Sequence, residues 1–256
     1  MSETRQQTDS GIGSHLKAAS HPFVASALLL GSGFCALAYQ AVWLRQLRLI
    51  FGASTAANAA VLAIFMGGLG LGGWVLGKRA DRHKQPLALY GYLELGVACF
   101  ALFTLFLISG VQHIYADLGG TPVLGTTLGT GLRIALSVLV LGVPTFLMGG
   151  TLPAMVRATR AISATGRSRV GLLYAANTIG SVAGVVWATF FSVEWIGVRA
   201  TLVSAACLNL VVAGIAVVLG RSTRVDVVQS ESQATRSTPR LVLLASAVVG
   251  FAFLLM

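Results

Sequence analysis

The sequence has few charged residues and very few acidic ones. Charged residues make up only 10% of the 256 residues, whereas soluble domains carry about 25%. The chain holds 8 Asp and Glu against 18 Lys and Arg, and 55% of its residues are apolar. This composition excludes an ordinary soluble globular protein, and we therefore expect a protein that lies in a lipid bilayer.

Cysteine and histidine are also scarce. Cys35, Cys99 and Cys207 lie inside apolar runs at separations that fit no metal-binding pattern, and the 4 histidines are scattered over polar segments. We therefore expect no metal site and no cofactor in this chain. A net charge of +10 suggests nucleic-acid binding in a soluble protein, but here the basic residues lie between apolar runs. That placement indicates membrane topology, and no nucleic-acid partner is expected.

Long apolar runs define the predicted architecture. A helix needs about 20 apolar residues to cross a bilayer, and six runs meet that requirement: 23–43, 57–77, 88–110, 134–156, 171–193 and 200–220. The sequence thus predicts an all-α, polytopic membrane bundle over 23–220, preceded by a polar N-terminal tail at 1–22.

The C-terminal part predicts two further segments. Residues 221–240 carry no periodic apolar pattern and predict a polar linker. Residues 241–256 are 16 apolar or small residues, and 16 helical residues span only about 24 Å. We therefore expect a partial seventh span and a chain truncated within a longer protein.

The basic residues also predict an orientation. Placing the N-terminus in the cytoplasm assigns 14 of the 18 Lys and Arg to cytoplasmic segments. Positive loops are retained on the cytoplasmic side of membranes. The sequence therefore predicts a multi-pass protein with a cytoplasmic tail at 1–22 and a cytoplasmic linker at 221–240.

The second predicted span contains the pattern G-x-G-x-x-G at Gly68, Gly70 and Gly73. A dinucleotide-binding loop needs a strand before this pattern and a long helix after it. Neither is predicted, because a polar loop with Pro86 follows directly. Glycines spaced four residues apart instead allow membrane helices to approach closely. The predicted packing glycines are Gly68, Gly72, Gly73, Gly180 and Gly184.

Glu94 is the one carboxylate well inside a predicted span. It follows Ala88 by six residues, which places it about 9 Å below the membrane edge. Burying an acid in a membrane costs about 3 kcal/mol even on lenient scales, so such a residue is a functional candidate. It could bind a cation, carry a proton, or form a structural pair with a basic residue such as Arg157.

Other polar side chains interrupt the first and fifth spans. Tyr39 and Gln40 lie near the end of the first, and Tyr174, Asn177 and Thr178 lie in the fifth. They predict either hydrogen bonds between helices or contacts with a solute. Trp43 follows close behind, and its position near the end of a span predicts an aromatic anchor at the membrane interface.

The loop "GKRADRHKQP" after the second span resembles the signature that major facilitator transporters carry between their second and third helices. The resemblance implies a gating loop with Gly77, Asp81 and Arg82. It is partial, because Lys84 stands where the signature has a later glycine. In a facilitator-like fold the first, second, fourth and fifth helices would face a central cavity, and Gln40 and Asn177 would line it.

A wider resemblance covers almost the whole chain. The segments "ALAYQAVWLRQLRLIFG" (36–52), "VLAIFMGGLGLGGWVLGKRADR" (61–82), "YGYLELG" (90–96), "PTFLMGGTLPAMVR" (144–157) and "VGLLYAANTIGSVAG" (170–184) are similar to the membrane region of bacterial fused major-facilitator/spermidine-synthase-like proteins. The resemblance implies a bundle like the N-terminal six-helix half of a major facilitator, with two three-helix inverted repeats, in the bacterial inner (plasma) membrane.

The same resemblance implies a downstream partner. In that family a soluble aminopropyltransferase-like domain follows the membrane region, and this chain contains no such domain and no catalytic set of its own. We therefore expect a transporter-like membrane domain whose enzyme lies elsewhere in the parent protein. The alternative is a membrane carrier of a small solute, such as a polyamine, completed by missing C-terminal helices.

Overall fold

The computed structural model describes residues 22–52, 55–160 and 166–222. Within these ranges the chain forms six long helices, and no strand occurs in them: α1 (Pro22–Phe51), α2 (Thr55–Asp81), α3 (Pro86–Asp117), α4 (Gly120–Arg160), α5 (Gly166–Trp187) and α6 (Gly197–Arg221). The predicted tail at 1–22, linker at 221–240 and partial seventh span at 241–256 lie outside the described residues, apart from Pro22, Arg221 and Ser222.

All six helices contain a segment long and apolar enough to cross a membrane. The predicted all-α, polytopic bundle is thereby confirmed, and each predicted span falls within one of these helices, with the fifth extending past α5. There the chain continues through a π-helical turn (Ala188–Ser192) and a last helical turn (Val193–Trp195). Proline and glycine set the ends: Pro86 opens α3, and Gly52, with φ of 86°, ends α1 in the left-handed conformation that glycine tolerates.

Large apolar side chains cover the outside of the bundle. Phe23, Phe106 and Val123 are each more than 70% exposed. In water such a surface would aggregate, whereas lipid tails are as apolar as these side chains. The chain is therefore a multi-pass membrane protein whose outer surface fits contact with a lipid bilayer.

The helices pack in a defined set of neighbours. The most extensive contacts join α2 to α4, α1 to α5 and α3 to α6, and α3 and α1 also pack against α4 and α6 respectively. If α1, α2 and α3 exchange places with α4, α5 and α6, in that order, the same pairs of neighbouring helices result. The arrangement is that of an internal repeat, and because each repeat has three helices its two copies cross a membrane in opposite directions.

Glycines set the distance between α2 and α4. A Cβ added to Gly72 would overlap the carbonyl oxygen of Phe146, and a Cβ added to Gly149 would overlap the carbonyl oxygen of Leu69. Each helix thus places a glycine against the backbone of the other. Gly68, in the same face of α2, lies against the side chain of Thr145.

The crossing of α1 and α5 uses the same arrangement. A Cβ added to Gly180 would overlap the carbonyl oxygen of Leu30, and a Cβ added to Gly33 would overlap the carbonyl oxygen of Asn177. One turn further along, Gly184 meets the carbonyl oxygen of Phe34 in the same way. The predicted packing glycines therefore lie in these two helix crossings, and Gly73 lies beside the carbonyl oxygen of Gly149 in the first of them.

The two crossings share one register. Between α2 and α4, Gly72 meets the carbonyl of Phe146; Gly149, three residues after Phe146, meets the carbonyl of Leu69, three residues before Gly72. Between α1 and α5, Gly180 meets the carbonyl of Leu30; Gly33, three residues after Leu30, meets the carbonyl of Asn177, three residues before Gly180. Backbone contact in one register, at equivalent helix pairs, defines the internal repeat more sharply than neighbour order alone. The amino-acid sequences of the two halves show no such repeat.

The expectation that Trp43 anchors the bundle at the membrane interface is wrong. Its side chain is fully buried, and its Nε1 donates a hydrogen bond of 2.9 Å to Thr104 Oγ1 on α3. Its ring stacks on Tyr39, with 5.5 Å between the ring centroids. The indole is part of the core because it lies in a cluster of buried side chains from several helices, among them Val97 of α3, Leu141 of α4 and Leu202 of α6.

Buried apolar side chains form two clusters at different depths of the bundle. One surrounds Trp43 toward the end of α1 and includes Tyr39, Phe65, Val97, Leu141 and Leu202. The other surrounds the first turns of α1 and includes Leu29, Tyr90, Leu93, Met155 and Leu173. A cavity lies where side chains of the two clusters meet.

Candidate functional site

A cavity of about 370 Å³ lies at the centre of the bundle, and all six helices contribute to its wall. Its volume is in the range of small-molecule sites, about 300–1,000 Å³. Its polar lining residues come from five helices: Ser32, Glu94, Thr151, Asn177, Ser181 and Asn209. Its larger apolar lining residues are Leu37, Phe65, Leu69, Val97, Met148 and Leu152.

Glu94 is the charged residue of this cavity. It is only 2% exposed, and its Oε1 accepts a hydrogen bond of 2.5 Å from Ser32 Oγ. The backbone carbonyl of Glu94 accepts a second hydrogen bond, 3.0 Å long, from Asn209 Nδ2. Ser32 lies on α1 and Asn209 on α6, so the turn of α3 that carries the acid is held from two sides.

Asn209 leaves one hydrogen-bonding group unused. The residue is fully buried, and its Oδ1 has no hydrogen-bond partner within the described part of the chain. A buried polar atom without a partner costs about 1–3 kcal/mol. Asn209 lines the cavity, so this unsatisfied acceptor lies beside it.

Positive charge is missing from the cavity wall. None of the described residues that line it is Lys, Arg or His. Arg157, considered from the sequence as a partner of Glu94, instead lines a separate groove between α2 and α4. Its Nε has no hydrogen-bond partner among the described residues. The side chains that hydrogen-bond to the carboxylate are those of Ser32, Tyr90 and Asn209, and all three are neutral.

The residues predicted to bind a solute lie in four different places. Glu94 and Asn177 line the central cavity, and Gln40 lines a second pocket. Tyr39 is fully buried in the core, and its hydroxyl has no hydrogen-bond partner in the described ranges. Tyr174 is 61% exposed on the outside of α5, so it faces away from the cavity.

Ser32, Ser181 and Asn209 were not among the predicted residues. Asn209 could have been predicted from the sequence, because an amide inside an apolar run is costly unless it has a hydrogen-bond partner. Ser32 and Ser181 could not have been predicted, since serine is common in membrane helices, where its hydroxyl forms hydrogen bonds with nearby groups. A Cβ added to Gly33 would lie 2.9 Å from Ser181 Oγ and 3.0 Å from Asn177 Oδ1, so both side chains meet α1 directly beside Ser32.

The second pocket lies between α1 and α5 and has a volume of about 470 Å³. Its polar lining residues are Gln40, Arg45, Arg48 and Thr189. It is therefore positively charged, in contrast to the central cavity. Leu37 lines both, so the two spaces adjoin at this residue.

The groove between α2 and α4 has a volume of about 410 Å³ and adjoins the opposite end of the central cavity. Gly77 and Asp81 of the predicted gating loop line this groove together with Arg157, whereas Arg82 is exposed and does not line it. Gly73 and Pro153 line both the groove and the central cavity.

The three spaces adjoin one another along the bundle. Shared lining residues connect the groove at the α2–α3 loop to the central cavity, and the central cavity to the pocket near the end of α1. The groove lies near the end of α2 and the second pocket near the end of α1, so the two lie toward opposite ends of the bundle. The structure thus defines a polytopic helical membrane protein with a partly polar cavity at its centre.

The chain matches no protein-family model, no curated protein and no solved structure. Among the described residues no group of His, Cys, Asp and Glu is arranged to hold a metal ion.

Proposed function

We propose that this bundle is a transporter-like membrane domain whose central cavity takes a small solute. The observation that carries the proposal is the series of three adjoining spaces between the two ends of the bundle. A protein that only anchors a partner has no need for polar groups inside its membrane-spanning segments, where they are costly. Solute sites of secondary transporters lie inside the membrane, at the interface of internal repeats.

The internal repeat supports the same proposal. Inverted repeats of three helices are the building units of each half of a major facilitator. Here the two crossings with one glycine register pair α1 with α5 and α2 with α4. These four helices also contribute most of the wall of the central cavity. The arrangement fits the facilitator-like half that the sequence resemblance implies.

The accessibility of the cavity tests the proposal. In a background with Cys35, Cys99 and Cys207 replaced by alanine, we expect Ser181→Cys to react in membrane vesicles with a small, charged methanethiosulfonate reagent. The reason is that Ser181 lines the cavity, and a polar space admits water and thereby the thiolate that reacts. Labelling is measured by mass spectrometry of the purified chain.

Val182 provides the matched control. It follows Ser181 on the same helix and is 58% exposed on the outside of the bundle, where lipid excludes both water and the reagent. We expect Val182→Cys to label at least tenfold more slowly than Ser181→Cys. Equal rates at the two positions, or no labelling at Ser181→Cys, would contradict a solute path through the bundle.

We also propose that this bundle is the membrane region of a spermidine-synthase-like protein, with the aminopropyltransferase-like domain as its partner. This proposal rests on the sequence segments that resemble that family. Reading the coding region beyond residue 256 tests it. A soluble aminopropyltransferase-like domain there would support this assignment, whereas further membrane spans followed by a stop would favour the alternative of a solute carrier.

The location proposed is the bacterial inner (plasma) membrane, with the N-terminus in the cytoplasm. The basic cluster at the α2–α3 loop supports this orientation. Lys84 and His113 lie near opposite ends of α3, and each is replaced by cysteine in the same cysteine-free background. We expect an impermeant reagent added to intact cells to label His113→Cys and to leave Lys84→Cys unmodified; the reverse pattern would overturn the orientation.

A further inference from the structure

The central cavity has a polar side formed by the groups around Glu94. Ser32 and Asn209 both contact Glu94, and Asn177 and Ser181 meet α1 one residue beyond Ser32. Two acceptors favour a positively charged donor: the carboxylate, whose hydrogen-bonding neighbours Ser32, Tyr90 and Asn209 are all neutral, and Asn209 Oδ1, which has no partner in the described part of the chain. A group that donates several hydrogen bonds and carries positive charge complements this set.

Most of the remaining wall is apolar, apart from Thr151, and part of this apolar wall lies to one side of these groups. Leu37 follows Ser32 by about one and a half turns of α1, and Val97 follows Glu94 by about one turn of α3. Phe65 on α2 and Met148 on α4 belong to the same buried cluster as Val97. The cavity therefore offers a charged end at the depth of Glu94 and an apolar end toward the pocket near the end of α1.

We propose that the cavity binds a small organic monocation: a protonated amine that carries a short apolar body. The ammonium group donates to the Glu94 carboxylate and to Asn209 Oδ1, and the body packs against Phe65, Val97 and Met148. This inference deepens the proposed function, on which it rests, by assigning the chemical class of the solute and the side chains that select it.

Charge and shape select this class over other cations. Glu94 is the one acidic residue among the described residues of the cavity wall, so it balances one positive charge and leaves the further charges of a polyamine uncompensated in a medium of low dielectric constant. A bare metal ion requires oxygen ligands on most sides, and the apolar end provides none. A monocation with an apolar body satisfies both ends.

Calorimetric titration of the purified full chain in non-ionic detergent tests the proposal. The probes are n-butylammonium, which is protonated at pH 7 because alkyl amines have pKa values of about 10, and 1-butanol, which has a similar shape and no charge. We expect n-butylammonium to bind at least tenfold more tightly than 1-butanol. We expect Glu94→Gln to weaken n-butylammonium binding at least tenfold and to leave 1-butanol binding unchanged.

Glu194 gives the matched control, because it is an exposed acid at the end of the extended fifth span. Glu194→Gln removes the same charge outside the cavity, and we expect no change in binding. Phe65→Ala removes part of the apolar end and should weaken both probes together. If Glu94→Gln does not fold, as judged by its helical circular dichroism, the comparison of the two probes on the unmodified chain still tests whether the cavity prefers a monocation.

The outcomes separate this inference from the function on which it rests. Equal binding of the two probes, or equal effects of Glu94→Gln and Glu194→Gln, would overturn the monocation and leave a solute cavity intact. Binding of neither probe, with Ser181→Cys still labelled, would likewise overturn only the solute class. Binding of neither probe together with an unreactive Ser181→Cys would overturn both. Tighter binding of spermidine than of n-butylammonium would replace the monocation by a polycation.

Discussion

Replacing Trp43 by alanine is expected to destabilise the bundle by about 3–5 kcal/mol, the range for removing a buried aromatic side chain. The indole is fully buried, stacks on Tyr39 and donates to Thr104 Oγ1. In lipid the loss arises from the cavity and its missing dispersion contacts more than from exposure to water. Titration with sodium dodecyl sulfate, followed by helical circular dichroism, measures the free energy of unfolding.

Trp195 is the control for this substitution. It is 78% exposed, with Phe191 as its aromatic neighbour, so Trp195→Ala leaves no cavity in the core and should cost less than about 1 kcal/mol. Trp43→Phe keeps most of the ring volume and loses the hydrogen bond to Thr104, and its cost should lie between the other two. A Trp43→Ala variant as stable as Trp195→Ala would contradict the burial of this side chain.

Adding one methyl group at Gly72 or Gly180 is expected to destabilise the bundle by about 1–3 kcal/mol, as overpacking does in a close-packed core. The new Cβ would overlap the carbonyl oxygen of Phe146 or Leu30, respectively. A backbone carbonyl cannot rotate away as a side chain can, so the two helices must separate. The same detergent titration gives both values, and the shared register predicts that the two losses are similar.

Gly70 and Gly171 are the controls, one on α2 and one on α5. A Cβ at either position would meet nothing within 4 Å. Gly70→Ala and Gly171→Ala should therefore be neutral or stabilising by up to about 1 kcal/mol, because alanine is the better helix former. If these variants lose as much stability as Gly72→Ala and Gly180→Ala, the close approach at the two crossings is not what requires glycine.

Much of the fold could be predicted from the sequence, because crossing a bilayer is a one-dimensional constraint. Six runs of about 20 apolar residues had to become six helices, since only a helix satisfies its own backbone in lipid. Gly72 and Gly180 could be assigned to packing by their four-residue spacing, and Glu94 could be singled out because an acid at that depth is costly.

The tertiary structure decided which side of each helix faces inward. In a soluble protein an apolar stripe reveals the buried face, but a membrane helix is apolar all round, because the core and the lipid are equally apolar. Trp43 was therefore placed at the interface and lies in the core, and Tyr174 was placed with the solute-binding residues and lies on the outside.

The partners of Glu94 were hidden for a second reason. Ser32 and Asn209 are 62 and 115 residues away along the chain, and no local pattern connects positions so far apart. By itself the sequence determined six membrane crossings, two glycine faces and one costly acid. The cavity around that acid, the neutral groups that hold it and the free acceptor beside it arise only when six helices meet, because each helix supplies one or a few of its side chains.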